Sequence, residues 1–253
     1  MEKIFRNQIK QDPFLEGPIE TDERIREELR SKVEKHYQAN NVPENLIEQF
    51  IIHNDQVEYF VDRFSREEKF NEKETEIALL SAILHDIAKG YGDFLNHGKE
   101  GGKIAKEILI DMGISEKLAE SVRLGIERHM GREGYPTDMA KKKYGDDFEY
   151  PKYATKVGKM IFECDILTQL TKDGFNKILL LRETDKENRK EDEVIAKEKN
   201  ITREDAAVFS VIKSVKKSYN LIKIESIKEY AGELWQKIQE DYEGYFGDGK
   251  LAE

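Results

Sequence analysis

Apolar residues recur along most of this chain at intervals of three and four, the spacing that lines one face of an α-helix. From Thr21, acidic residues followed by Ile25, Leu29 and Val33 predict a first helix. Asn41 and Pro43 interrupt it. Leu46, Phe50, Ile51, Val57, Tyr59, Phe60 and Phe64 then carry the same period to about Arg66. After a polar break at Asn71, TEIALLSAILHDIA is largely apolar beyond its first two residues, as expected of a helix in the middle of a bundle. The glycines of KGYGDFLN mark a loop. Ile104, Ala105, Ile108 and Leu109 define a helix that stops at Gly113, and Leu118, Val122 and Ile126 another that runs to about His129. Its start signal is weak, because Ser115 stands at a capping position but Leu118 occupies the place where a capping box wants Glu or Gln.

Periodicity fails in three places. Residues up to about Gly17 read as an arm or cap, because Asp12-Pro13 and Gly17-Pro18 break any helix, and Ile4, Phe5, Phe14 and Leu15 could dock on the body. GREGYPTDMAKKKYGDDFEYPKY, at about 131–153, mixes Gly, Pro, aromatic and charged residues and reads as a long loop or short-helix insert in the position of a lid. ETDKENRKEDE reads as a charged, solvated segment. Between the last two, KVGKMIFECDILTQLT resumes an apolar helix. From about Thr202 two further helices are expected, the second holding Leu234, Trp235 and Ile238, and YFGDGKLAE reads as a fraying end. The expected organisation is an N-terminal arm and helix over 1–44, a core over 45–175, and a C-terminal helical extension over 176–253.

Composition strengthens the all-α reading: 38% hydrophobic and 37% charged residues with only 5 Pro and 17 Gly favour amphipathic helices over a turn-rich β protein. A formal net charge of −10 sets the surface against a phosphate backbone, so no long nucleic acid is expected as partner, although a bound cation would still let a small anionic substrate in. The single cysteine, Cys164, excludes an intrachain disulfide and a Cys-based zinc cluster. No window approaches the roughly 18 unbroken apolar residues of a membrane span, and the first residues lack the apolar core of a signal peptide. The expectation is a cytoplasmic protein with no membrane partner, with a homodimer as the candidate assembly.

The chemistry gathers at histidine. Of 5 histidines, His53, His85, His97 and His129 precede or sit inside apolar segments, whereas His36 lies in the polar stretch VEKHYQANN and reads as a surface residue. Imidazole and carboxylate are the donors that hard to borderline divalent metals accept. His85-Asp86 is the sharpest feature: on a helix such neighbours point about 100° apart, so both reach one metal only if it lies between their directions. A buried Asp86 without a cation would cost several kcal/mol. Asp165, among Ile161, Phe162, Ile166 and Leu167, poses the same demand, although a lone buried carboxylate also serves as a helix cap, and a lone histidine on an apolar face is more often a hydrogen-bonded core residue.

The order His53, His85-Asp86, His97, His129, Asp165 resembles the HD superfamily of metal-dependent phosphohydrolases, in its two-metal version. LLSAILHDIAKG, HGKEGGKIAKEIL, IERHM and FECDIL resemble its motif blocks over roughly residues 50 to 170. The resemblance implies an HD-domain helical bundle with extra C-terminal helices. It also implies a first metal held by His53, His85, Asp86 and Asp165 and a second by Asp86, His97 and His129, with Asp86 bridging. Iron or manganese are the leading ions, with Mg, Zn, Ni or Co as others. Lys89 matches the position where related enzymes place a lysine near the substrate phosphate, set against a solvated helix-end lysine as the plain reading. Gly134-Tyr135-Pro136 is similar to the tripeptide of the cyclic-di-GMP phosphodiesterase branch, but the paired histidines of that branch are replaced by Arg128-His129, and an ordinary turn is the preferred reading.

The activity so implied is cleavage of a phosphomonoester or phosphodiester, in a small nucleotide-like substrate, by a metal-activated water. Lys89, Arg128 and Arg132 are the candidate phosphate clamps, with Asp86 and Lys89 the candidate catalytic pair. Tyr135, Tyr144, Phe148 and Tyr150 could stack on a base and Lys141 to Lys143 attract phosphates, although loop packing is the plainer role. Two rivals stand beside it: a di-iron oxygenase of the same superfamily, and a regulatory module that binds a nucleotide without turning it over.

Overall fold

The computed structural model describes residues 22–90, 96–129, 141–143, 145 and 155–246. Among them every regular element is a helix, and the fold is all-α. The N-terminal arm and most of the 131–153 insert lie outside the described residues, as do Tyr135, Tyr144, Phe148, Tyr150 and the Gly134-Tyr135-Pro136 string.

Two compact units divide the chain, Met1–Phe162 and Glu163–Glu253. The first is built from α1 (Glu23–Ala39), α2 (Glu44–Glu67), α3 (Glu72–Leu84), α4 (His97–Asp111), α5 (Glu116–His129) and the beginning of α6 (Lys156–Thr168). Local chemistry sets the ends. Asp22 caps α1 by accepting from Ile25 N at 3.1 Å, and Asn71 and Glu74 form a reciprocal capping box on α3, each side chain taking the other's backbone N–H. Gly113, at φ +82°, supplies the left-handed residue that ends α4. The weak start signal at Ser115 is real: its Oγ accepts from Leu118 N at 3.3 Å and α5 begins at Glu116.

Helix α3 is the centre of this unit, in contact with α1, α2, α4 and α5. Every residue from Glu76 to Ala88 is buried, as the largely apolar pattern implies. Around it α1 buries Leu29, Val33 and Tyr37, and α2 buries Val57, Phe60, Val61 and Phe64. Helices α4 and α5 pack on each other at glycine. A Cβ on Gly102 would stand 2.9 Å from the backbone oxygen of Arg123 in α5, and one on Gly125 would stand 2.9 Å from Ser81 Oγ in α3 and 3.0 Å from Val157 Cγ1 in α6.

The second unit contains the end of α6, then α7 (Lys172–Thr184), α8 (Lys186–Lys199), α9 (Arg203–Leu221), α10 (Glu225–Asp241) and the single turn α11 (Glu243–Phe246). The charged run is mostly exposed, as expected of a solvated segment, apart from the buried Asp192. It is helical, with Asp185 capping α8 through Asn188 N at 2.8 Å and Asn200, at φ 53°, closing it. No apolar stripe holds α8 in place. Instead Asp192 is fully buried, its Oδ1 receiving Arg182 Nε from α7 at 2.7 Å and Ser210 Oγ from α9 at 3.2 Å. A pattern search that counts apolar residues misses such an element. Tyr245, the first residue of YFGDGKLAE, is held rather than frayed, its OH donating to Asp205 Oδ1 at 2.7 Å, and residues 247–253 lie outside the described residues. No described helix is long and apolar enough to cross a membrane.

Replacing Gly102 by Ala separates local from tertiary effects. Helix propensity alone would stabilise the protein by about 1 kcal/mol. The close approach of α4 and α5 predicts the opposite sign, a net loss of about 1–2 kcal/mol from overpacking against a backbone carbonyl that has little room to yield. Urea unfolding of the two proteins decides between them.

Candidate metal centre

Each candidate side chain in the first unit is delivered by a different stretch of helix or its end. His53 stands in the middle of α2, His97 is the first residue of α4, and His129 the last residue of α5. His85 is the C-cap of α3, and Asp86 follows in a series of turns. The expectation that the helix runs through His85 and Asp86 is thereby corrected. Beyond Leu84 the chain tightens, with Ile87 N bonding Leu84 O at 3.1 Å and Lys89 N bonding Asp86 O at 2.7 Å. His85 itself keeps right-handed helical dihedrals, φ −58° and ψ −32°, and the regular ladder ends there.

What converges is a carboxylate inside a ring of imidazoles. Asp86 is completely buried, as is His85, while His129 and His97 are 1% and 3% exposed. Asp86 Oδ1 lies 3.5 Å from His85 Nε2 and 3.4 Å from His97 Nε2, and Oδ2 lies 3.5 Å from His53 Nε2 and 2.8 Å from Lys89 Nζ. Ring centroids are 5.3 Å apart for His53 and His85, 5.7 Å for His85 and His129, and 5.2 Å for His97 and His129. Two groups of ligand atoms result, His53/His85/Asp86 and Asp86/His97/His129, each with its atoms within 4.8 Å of one another.

Hydrogen bonds choose the tautomers. His85 Nδ1 meets the Ala82 carbonyl at 2.8 Å, and His129 Nδ1 meets the Ile126 carbonyl. A carbonyl only accepts, so each Nδ1 carries a proton, and it is Nε2 that turns inward and offers a lone pair once its own proton is lost. This is the arrangement that orients a metal-binding imidazole. His85 Nε2 and Asp86 Oδ1 are buried and make no hydrogen bond within the protein. Burial pushes the Asp86 carboxyl up, but the charges of His85, Lys89, His97 and His53 outweigh it and hold the group well below the ordinary carboxylate range. An anionic oxygen and an inward lone pair, both buried and 3.5 Å apart, fit a hard or borderline divalent cation.

Residues 50–170 match the family model of the HD domain. The chain carries an HD domain. No curated protein and no solved structure matches it. HD domains bind divalent metals and belong to a superfamily of metal-dependent hydrolases. All six residues anticipated as ligands fall within the matched segment.

Five of the six belong to the first unit and meet around Asp86. Asp165, the sixth, lies on α6 within the second unit, half-buried, with Thr168 Oγ1 donating to its backbone carbonyl at 2.7 Å. Lys89 is placed by its ion pair with Asp86 and keeps its side chain 22% exposed. Arg128 stands half-buried beside His129, and Arg132 lies outside the described residues. His36 departs from the expected surface position: it is half-buried, and burial lowers its pKa.

Two side chains that hold the HD turn were not singled out by the sequence. Tyr37, fully buried on α1, donates its hydroxyl to the Asp86 carbonyl at 3.0 Å. Asn54, beside His53 on α2, donates to the Ile83 carbonyl at 3.0 Å. Tyr37 sits at the end of the apolar ladder Leu29, Val33, Tyr37, and a buried Tyr needs a partner for its hydroxyl. Asn54 is a polar residue on an otherwise apolar helix face. Those were the available signals.

Since metal binding to the folded state alone stabilises it, added Mn²⁺ is expected to raise the thermal midpoint of the chelator-treated HD domain. The stabilisation should be about 2.7 kcal/mol per site at a hundredfold excess of free ion over Kd. Differential scanning fluorimetry should show this shift for wild type and none for Asp86→Ala.

Proposed function

We propose that this HD domain is a metal-dependent phosphohydrolase, cleaving a phosphomonoester or phosphodiester bond in a small, nucleotide-like molecule. Asp86 carries the reading: one buried carboxylate, low in pKa, is shared by two groups of histidine ligands. His53, His85, Asp86 and Asp165 would hold one divalent cation and Asp86, His97 and His129 a second, with iron or manganese favoured. Such a pair, when bound, lowers the pKa of a water into the neutral range and neutralises charge developing on phosphoryl oxygens.

The chain's own residues supply the rest. Asp86 keeps its charge while completely buried, where electrostatic interactions are little screened. The carbonyls of Ala82 and Ile126 stop His85 and His129 from rotating. Lys89, partly exposed and already drawn to Asp86, offers its ammonium to the substrate phosphate, joined by Arg128 and Arg132. The net charge of −10 is compatible with a compact phosphate ester and opposes a long polyanion. An acidic chain with one buried cysteine suits the reducing cytoplasm.

Anaerobic purification with elemental analysis, followed by assay on phosphomonoesters, cyclic nucleotides and dinucleotides, tests the proposal. Wild type should bind two metals per chain and release phosphate or nucleotide with manganese under nitrogen. Asp86→Ala should lose both metals and the activity. Lys89→Met should keep both metals and lose about 10²-fold in kcat/KM. Strict dependence on iron with oxygen consumption and no phosphate release would instead establish an oxygenase. Tight nucleotide binding without metal or turnover would establish a regulatory module.

A further inference from the structure

We infer that Tyr37 and Asn54 are positioning residues for the metal centre, fixing the backbone that carries His85 and Asp86 and so governing both cation sites together. The inference rests on the metal reading above and concerns residues outside the ligand set. Its starting point is a mechanical problem. The regular ladder of α3 ends at Leu84, yet the next two residues carry the side chains whose placement matters most. A chain leaving a helix is ordinarily the least constrained part of it, because the last carbonyls lose their intrahelical partners.

Here they gain partners from elsewhere. Asn54 Nδ2 donates to the Ile83 carbonyl at 3.0 Å and Tyr37 OH to the Asp86 carbonyl at 3.0 Å, while Ala82 receives His85 Nδ1 at 2.8 Å. The carbonyls of residues 82, 83 and 86 are thus each held by a side chain, those of 83 and 86 from separate helices, α2 and α1. Both donors are rigid. Tyr37 is fully buried with its ring tilted against Phe50 at 5.4 Å, and Asn54 is 3% exposed. A bond to a carbonyl within a tight turn fixes the peptide plane, and a small rotation of that plane at Asp86 would swing the carboxylate out of the ring of Nε2 atoms 3.4–3.5 Å away. Because Asp86 belongs to both ligand groups, the error would reach both cations at once. A residue such as His129 belongs to one group only.

That difference provides the test. Tyr37→Phe and Asn54→Ala each remove one hydrogen bond and leave every ligand in place. Mn²⁺ binding to chelator-treated full chain, followed by EPR and titration calorimetry, should show both sites weakened in parallel by about 10–100-fold in either variant. His129→Ala, measured alongside, should lose the second site and retain the first. Circular dichroism at the titration temperature checks that each variant is folded. Wild-type Mn²⁺ affinity at both sites in folded Tyr37→Phe and Asn54→Ala, even with a lower Tm, would reduce these residues to packing and overturn the inference while leaving the metal reading intact. Failure of wild type to bind Mn²⁺ would overturn both.

Discussion

An ionised carboxylate with no access to water is the constraint on which the first unit depends. Removing Asp86 from solvent costs several kcal/mol unless opposite charge and oriented dipoles compensate. The protein compensates with Lys89 on one oxygen and imidazole nitrogens around both. These groups come from α2, the α3 terminus and α4, so their arrangement holds only while the helices keep their places. Stability and site geometry are therefore one problem.

Helix packing solves it by close approach. With α3 surrounded by α1, α2, α4 and α5, the residues that follow its last turn emerge in the interior of the bundle rather than at its surface. Gly102 lets α4 meet the backbone of α5, and those two helices bring in His97 and His129. The end of α3, normally a place of loose carbonyls, is taken up by donors from α1 and α2. The HD turn thus lies beyond the regular helix and is still tightly held.

The second unit follows another rule. Its α8 has almost no apolar face and is fastened through a buried Asp192 that meets Arg182 and Ser210 from its neighbours. Polar anchoring of this kind fixes the register of helices more narrowly than an apolar seam, since one bond has one geometry. Glu163 works similarly, its Oε2 accepting from the backbone of Lys223 and Ile224 where α10 begins.

Much of this was written in the chain as period and punctuation. The apolar intervals of three and four specified the helices of the first unit, α6, α9 and α10. Asn71 and Gly113 marked ends through local chemistry, and the all-round apolar character of Ile77–Leu84 identified the central helix. The order of histidines and aspartates pointed to the HD domain. Such features are legible because they arise from interactions between residues close in sequence, or from burial on a repeating face. Only the tertiary structure decided that the helix stops before His85, that His85 and His129 present Nε2 rather than Nδ1, that the charged run is a helix, and that Tyr37 and Asn54 hold the turn. The two imidazoles are oriented by carbonyls three residues back, but Tyr37, Asn54 and the anchor of the charged helix act through partners farther along the chain, and no local pattern encodes where such a partner will arrive.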